Sequence, residues 1–227
     1  MKIVAINGSP RKNANTATLL KKALEGATKQ GAQTELIHLY DLNYQGCVSC
    51  FACKLKNGKS YGKCAHKDEL KHLLEKLRGV DAIILGSPIY FGNITGMMRS
   101  FIERLAFQYT VYDVHYSSLF PRKIPIGFIY TMNLDEKRMQ EWGYVEALRG
   151  IENRLGSIFG SSEALYVTDT YQFKDYSKYE VTAFSEPLKA KRRKEVFPID
   201  CEKAFDMGVR FITRGVSSAY CSEIAPH

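Results

Sequence analysis

Short apolar runs alternate along this chain with longer stretches of helical period. The run Lys2-Ile3-Val4-Ala5-Ile6 breaks at Asn7-Gly8-Ser9-Pro10-Arg11 and reopens as a helical pattern from Asn15-Thr16. This predicts a first strand at 2–7, a turn, and a helix over 15–31 that stops at Gly31. A second strand is expected at 34–39, and a helix at 68–78 with Leu70, Leu73, Leu74 and Leu77 on one face. A buried strand at 80–85 ends before Gly86-Ser87-Pro88, and a helix follows at 94–107. A strand at 124–130, one long helix at 137–159, a strand at 164–168 and a last helix at 200–214 complete the pattern.

Five strands separated by helices, without an internal repeat, predict an α/β fold. The expected architecture is a flavodoxin-like, doubly wound, five-stranded parallel sheet of order 2-1-3-4-5 with helices on both faces. Residues 1–227 read as one domain carrying a cysteine loop at 44–66 and a polar, basic insertion at 170–198. The aromatic stretch 108–122 also lies outside the minimal plan. Tyr109, Tyr112 and Tyr116 within it hint at a subunit interface.

Composition narrows the classes. Hydrophobic residues make up 45% and charged residues 25% of the chain, as in ordinary globular proteins. There is no apolar run of 18 residues and no basic leader before the first strand, so a soluble, unsecreted, cytoplasmic protein with no membrane partner is expected. The net charge is +8, and the densest basic run is Lys189-Ala190-Lys191-Arg192-Arg193-Lys194. That run has no aromatic interleaving and no reading helix around it, which argues against nucleic acid and for a solvated loop. General basicity suits anionic cofactors without choosing among them.

The first turn carries candidate chemistry. It is neither a Walker loop nor a Gly-x-Gly-x-x-Gly fingerprint. Gly8 permits a tight turn, Ser9, Asn13, Asn15 and Thr16 bring short hydrogen-bonding side chains, and Arg11 adds a forked cation. At a helix N-terminus this set suits a phosphate. The loop after the third strand, Ser87-Pro88-Ile89-Tyr90-Phe91-Gly92-Asn93, faces it across the switch point of the sheet. Pro88 stiffens that loop, Tyr90 and Phe91 offer flat apolar faces, and Gly92 permits close backbone approach. A ligand with a phosphate at one end and a broad aromatic system at the other fits both loops, and FMN is such a ligand.

Gly8-Ser9-Pro10-Arg11 to Asn15-Thr16, Gly86-Ser87-Pro88-Ile89-Tyr90-Phe91-Gly92 and Met97 to Arg104 together resemble the NADPH-dependent FMN reductase family. The resemblance runs from residue 1 to about 168 and returns in the segment from Phe197-Pro198 to Gly208. It implies that Ser9, Arg11, Asn15 and Thr16, in a turn that also includes Asn13 and Ala17, hold the FMN phosphate. It implies that Pro88, Ile89, Tyr90, Phe91, Gly92 and Asn93 hold the isoalloxazine ring, with Thr131, Met132 and Asn133 as a third contact. The implied activity is reduction of bound FMN by NAD(P)H and passage of electrons to a quinone, flavin, metal ion or protein, in a homodimer or homotetramer. The flavin carries such chemistry, so no single catalytic residue is expected. A non-catalytic binding protein on the same scaffold is the reading from another class.

Four of the six cysteines cluster at Cys47, Cys50, Cys53 and Cys64. Clustered thiols outside an oxidising compartment read as metal or redox chemistry. Cys47-x-x-Cys50-x-x-Cys53 resembles the iron–sulfur flavoproteins, which implies a [4Fe-4S] cluster and an electron-carrier role as the alternative function. Ten residues separate Cys53 from Cys64, longer than that branch usually has, and Lys54, Lys56, Lys59 and Lys63 crowd the gap. Three readings stay open at this point: a cluster, a zinc ion with His66 as a substitute ligand, or no metal. His38, on the second strand, reads as structural.

Overall fold

The computed structural model describes residues 1–222, and side-chain surroundings through residue 213. Five parallel strands form the sheet: β1 (Lys2–Asn7), β2 (Gln33–His38), β3 (Ala82–Tyr90), β5 (Ile124–Thr131) and β6 (Gly160–Val167). A two-residue strand β4 (Asn93–Ile94) folds back antiparallel on β3. The order is β2-β1-β3-β5-β6, which is the expected doubly wound order with β4 counted between. The winding reverses between β1 and β3, whose registers pair Asn7 with Gly86.

Both sheet faces are buried. Ile3 and Ala5 pack with α1 (Asn15–Lys29) and α7 (Phe197–Ser222), while Val4 and Ile6 pack with α2 (Glu69–Leu77), α3 (Gly96–Phe107) and α5 (Tyr144–Phe159). The face-to-face alternation along β1 is that of a central strand with a period of two. Leu70, Leu73, Leu74 and Leu77 fill the second layer from α2, as their spacing predicts.

Four local expectations are corrected. The third strand does not end at residue 85: it continues through Gly86, Ser87 and Pro88 to Tyr90, and a tight turn at Phe91 (φ 50°) and Gly92 (φ 78°) leads into β4. The long helix expected at 137–159 is two helices, α4 (Glu136–Glu141) and α5, parted at Gly143, whose φ of 69° no helix interior adopts. The basic run at 189–194 is not a solvated loop but part of α6 (Glu186–Glu195), with Lys189 buried. Within the aromatic stretch, Tyr109 and Phe120 are core residues packed edge-on against Phe159, whereas Tyr112 and Tyr116 are exposed. Cys201 lies on α7, and the side chain of Cys221 is outside the described residues. Among the described residues no helix is long and apolar enough to cross a membrane.

Candidate functional site

The turn after β1 is built by its own short side chains. Asn7 Oδ1 accepts from the Ser9 amide at 3.0 Å, and Ser9 Oγ accepts from the Arg11 amide at 3.1 Å. The Gly8 amide donates to the Gly86 carbonyl at 2.8 Å, and the Gly8 carbonyl accepts from Thr95 Oγ1 at 2.8 Å. Glycine at position 86 makes room for Leu20 and Thr16, since an added Cβ would sit 2.6 Å from Leu20 Cδ1 and 2.9 Å from Thr16 Cγ2 and push these buried side chains aside. Its absence lets α1 descend onto the sheet at the turn.

Helix α1 begins without a side-chain cap. Its N-cap residue is Ala14, and the first helical amide donating to backbone is that of Thr18, to the Ala14 carbonyl at 3.0 Å. The amides of Asn15, Thr16 and Ala17 have no protein acceptor among the described residues. First-turn donors left open carry partial positive charge and suit an anion. The Thr16 hydroxyl meets Thr131 Oγ1 at 2.7 Å, which ties this turn to the end of β5.

A cleft of about 130 Å³ opens above these strand ends, lined by Ser9, Arg11, Ala14, Asn15, Thr16, Pro88, Ile89, Tyr90, Thr131, Met132, Asn133, Thr170 and Gln172. Ten of the expected cofactor residues thus meet in one place, drawn from three distant segments. Asn13, Ala17, Phe91, Gly92 and Asn93 are not among its lining. Asn13 Oδ1 instead accepts from Lys21 Nζ at 3.4 Å, Phe91 projects into solvent, and Asn93 faces a separate groove near Cys47. Asn133 Oδ1 is buried with no donor, an orphaned acceptor at the cleft wall. His38 Nδ1 lies 2.8 Å from Asn7 Nδ2, a structural contact beneath the turn, and burial lowers its pKa.

The insertion contributes residues that local patterning did not reveal. Arg11 Nη2 donates to the Gln172 carbonyl at 2.8 Å, and Asn15 Nδ2 donates to the Tyr171 carbonyl at 3.0 Å. Helix α6 is anchored over the cleft by the buried Lys189, whose ammonium reaches the Asn133 carbonyl at 2.8 Å and pairs with Asp169. Arg192 pairs with Asp200 at 2.8 Å. The available signal was the break in composition at 170, because the partners of Arg11 and Lys189 are remote in sequence.

The four clustered cysteines also meet. Cys47, Cys50, Cys53 and Cys64 line a small cavity of about 20 Å³ with His66, Arg104, Phe107 and Gln108. Cys53 is buried and Cys50 exposed, with the other two between. Burial pushes the Cys53 thiol up, against the opposing effect of the Lys54 ammonium. Lys54 bonds to the carbonyls of Phe107 and Thr110 and lies over the Phe107 ring at 4.4 Å. The Cys64 amide donates to Gln108 Oε1 at 3.0 Å, which draws it to α3 despite the ten-residue gap. Among the described residues no three His, Cys, Asp or Glu side chains are arranged to hold a metal ion.

The sequence profile of a family described as NADPH-dependent FMN reductase matches residues 1–130. An iron–sulfur flavoprotein of Archaeoglobus fulgidus is 45% identical over 104 residues, covering 46% of this chain and 48% of that protein. Another, of Methanocaldococcus jannaschii, is 38% identical over 104 residues, covering 46% of this chain and 51% of its own. The matches therefore span about half the length of these curated relatives. Among solved structures, an NAD(P)H:quinone oxidoreductase from Methanothermobacter marburgensis superposes with a TM-score of 0.69 at 13% identity, over 92% of this chain and 96% of that one. An azoreductase from Bacillus anthracis superposes at 0.65 and 14% identity, over 93% and 100%. At such identities these two establish the fold alone.

Proposed function

The chain belongs to the NADPH-dependent FMN reductase family, and from that premise we propose that it is an FMN-binding oxidoreductase that takes electrons from a reduced nicotinamide and passes them to a quinone, flavin or other small acceptor. The observation that carries this reading is the uncapped start of α1 opening on a cleft that two other strand ends also line. The donor set fits the group. The open amides of Asn15, Thr16 and Ala17, with Arg11, would bind the phosphate; Pro88, Ile89 and Tyr90 would flank the ring; and the orphaned Asn133 Oδ1 would accept from a ring N–H.

When bound, FMN supplies hydride and one-electron chemistry, and the protein's share is placement and exclusion of water. The cleft of about 130 Å³ is small beside the roughly 300–1,000 Å³ of most small-molecule sites. Gln172 lines it, and the carbonyls of Tyr171 and Gln172 occupy Asn15 and Arg11. Loading would require this strap to release both side chains, which then turn to the ligand.

The cysteine cavity favours a second reading, an iron–sulfur flavoprotein electron carrier. Cys47, Cys50, Cys53 and Cys64 would hold a [4Fe-4S] cluster, which supplies one-electron chemistry. Four thiols line one cavity, and thiolates are the donors that such a cluster takes. Similarity to proteins named iron–sulfur flavoproteins supports it.

One experiment addresses both readings: an anaerobic ultraviolet–visible spectrum of the purified protein, addition of NADPH, then iron and acid-labile sulfide analysis. A flavin spectrum bleached by NADPH without iron supports the reductase. Iron and sulfide with a flavin that NADPH does not bleach support the carrier. A colourless protein that takes up neither added FMN nor iron overturns both.

A further inference from the structure

Arg104 is an unusual residue to find at the floor of the cysteine cavity. Its side chain is only 1% exposed, and all five of its N–H groups are committed. Nη1 donates to Asp68 Oδ2 and, at 3.2 Å, to the Gln45 carbonyl. Nη2 donates to Asp68 Oδ1 at 2.9 Å and to the His66 carbonyl at 3.4 Å. The fifth donor, Nε–H, points at the Cys64 sulfur at 3.4 Å. The fork is rigid, so four oxygen contacts fix where the fifth bond goes.

This arrangement treats Cys64 differently from the other three thiols. Its amide is held by Gln108 and its sulfur by Arg104, both from the end of α3, while the lysine-rich loop before it is closed by the Gly62 amide on the Cys53 carbonyl at 3.0 Å. Asp68 balances the guanidinium charge but lies on the side away from the sulfur, leaving the N–H dipole directed at Cys64. Hydrogen bonds to ligand sulfurs are one of the determinants of an iron–sulfur centre's reduction potential, because they stabilise the electron-richer reduced form.

We propose that Arg104 is a positioning residue that fixes Cys64 as the fourth cluster ligand and, through its N–H to the Cys64 sulfur, raises the reduction potential of the centre. The proposal rests on the reading that this cavity holds a [4Fe-4S] cluster. Lysine at this position keeps the charge but has no rigid fork, so it cannot hold Asp68 and present a donor to the sulfur in the same geometry.

The test uses the full chain, reconstituted anaerobically with iron and sulfide, and reads iron content and the midpoint potential by dithionite titration followed by electron paramagnetic resonance. For Arg104→Lys the expected result is a complete cluster whose reduction equilibrium is about tenfold less favourable, a shift of ~59 mV to lower potential for one electron. Should that variant fold poorly, Arg104→Gln combined with Asp68→Asn leaves no unpaired buried charge. Asp68→Asn alone keeps the N–H and should leave the potential at or above that of the wild type, so a fall confined to the double variant reports loss of the Arg104 side chain from the Cys64 sulfur, its charge and its N–H together. A folded variant with full iron content and the wild-type potential overturns the proposal while leaving the cluster reading intact. Wild-type protein that takes up no iron overturns both, and the two failures are told apart by iron content alone.

Discussion

Arg193 Nη1 donates to Asn15 Oδ1 at 2.8 Å, joining α6 to the first residue of α1 across 178 positions of sequence. The same guanidinium stacks at 4.0 Å over Phe197. With Asn15 and Arg11 also bound to the carbonyls of Tyr171 and Gln172, the insertion is a strap pinned to the very side chains proposed to hold phosphate. Arg193 is exposed, so its hydrogen bond is worth only about 0.5–1 kcal/mol. Arg193→Ala is therefore expected to speed FMN exchange about two- to fivefold, by the relation of about 1.4 kcal/mol per decade. Stopped-flow recovery of flavin fluorescence measures it, and an unchanged rate would show that the strap does not limit exchange.

The uncapped start of α1 gives a sharper test. Aspartate at position 14 would satisfy first-turn amides that are open in the ligand-free protein, adding about 0.5–2 kcal/mol of stability. It would also place a carboxylate where the phosphate is proposed to sit. Ala14→Asp is thus expected to raise the Tm of ligand-free protein by a few degrees, at about 2–4 °C per kcal/mol for a chain of this size, and to weaken FMN binding at least tenfold. Scanning calorimetry and fluorescence titration read the two effects. A higher Tm with unchanged FMN affinity would place the phosphate elsewhere.

The turn and the sheet order were readable in the sequence because their determinants are local. Gly8, Ser9 and Asn15 lie within a few residues of each other, and the runs around Ile3 and Ile83 are apolar on both faces. The strap was not readable, because Lys189 is buried only by virtue of Asp169 and the Asn133 carbonyl, 20 and 56 positions away. A run of six residues with five cations looks solvated until those partners are known. The break at Gly143 was hidden by the apolar period continuing on both sides of it. The closure of Cys64 onto the other thiols was only partly local: the Gly62 amide bonds back to the Cys53 carbonyl at 3.0 Å, but Gln108 and Arg104 hold Cys64 itself from the end of α3.

Helices α1 and α7 approach closely enough that two glycines are structural necessities. A Cβ at Gly208 would lie 1.8 Å from the Ala23 carbonyl oxygen, and one at Gly26 would lie 2.1 Å from that of Phe205. Both neighbours are backbone and cannot turn aside. Gly208→Ala should cost about 1–3 kcal/mol through overpacking, lowering the Tm by several degrees. Gly150→Ala on α5 meets nothing within 4 Å and should instead be stabilising by up to about 1 kcal/mol, because it removes a helix-interior glycine. Thermal melts of the two variants should move in opposite directions, and a parallel loss would refute the packing account.

The pair of Asp68 and Arg104 also predicts how the fold responds to acid. Burial disfavours the ionised Asp68 carboxylate, yet the guanidinium outweighs it and holds the pKa below its ordinary value of 3.8. An acid whose folded pKa is depressed binds fewer protons folded than unfolded, so its contribution to stability is present above the unfolded value and is lost as pH falls through the folded one. At neutral pH Asp68→Asn leaves Arg104 buried without its counter-ion, and a loss of about 3–5 kcal/mol is expected. Below pH 3.8 the unfolded carboxylate takes up a proton that the folded one resists, so the gap between the two proteins should narrow, by up to about 1 kcal/mol at pH 3. Urea midpoints of ligand-free protein between pH 7 and pH 3 give that difference directly. A gap that stays constant across the range would mean that Asp68 stabilises the fold by its shape and hydrogen bonding and not by its charge.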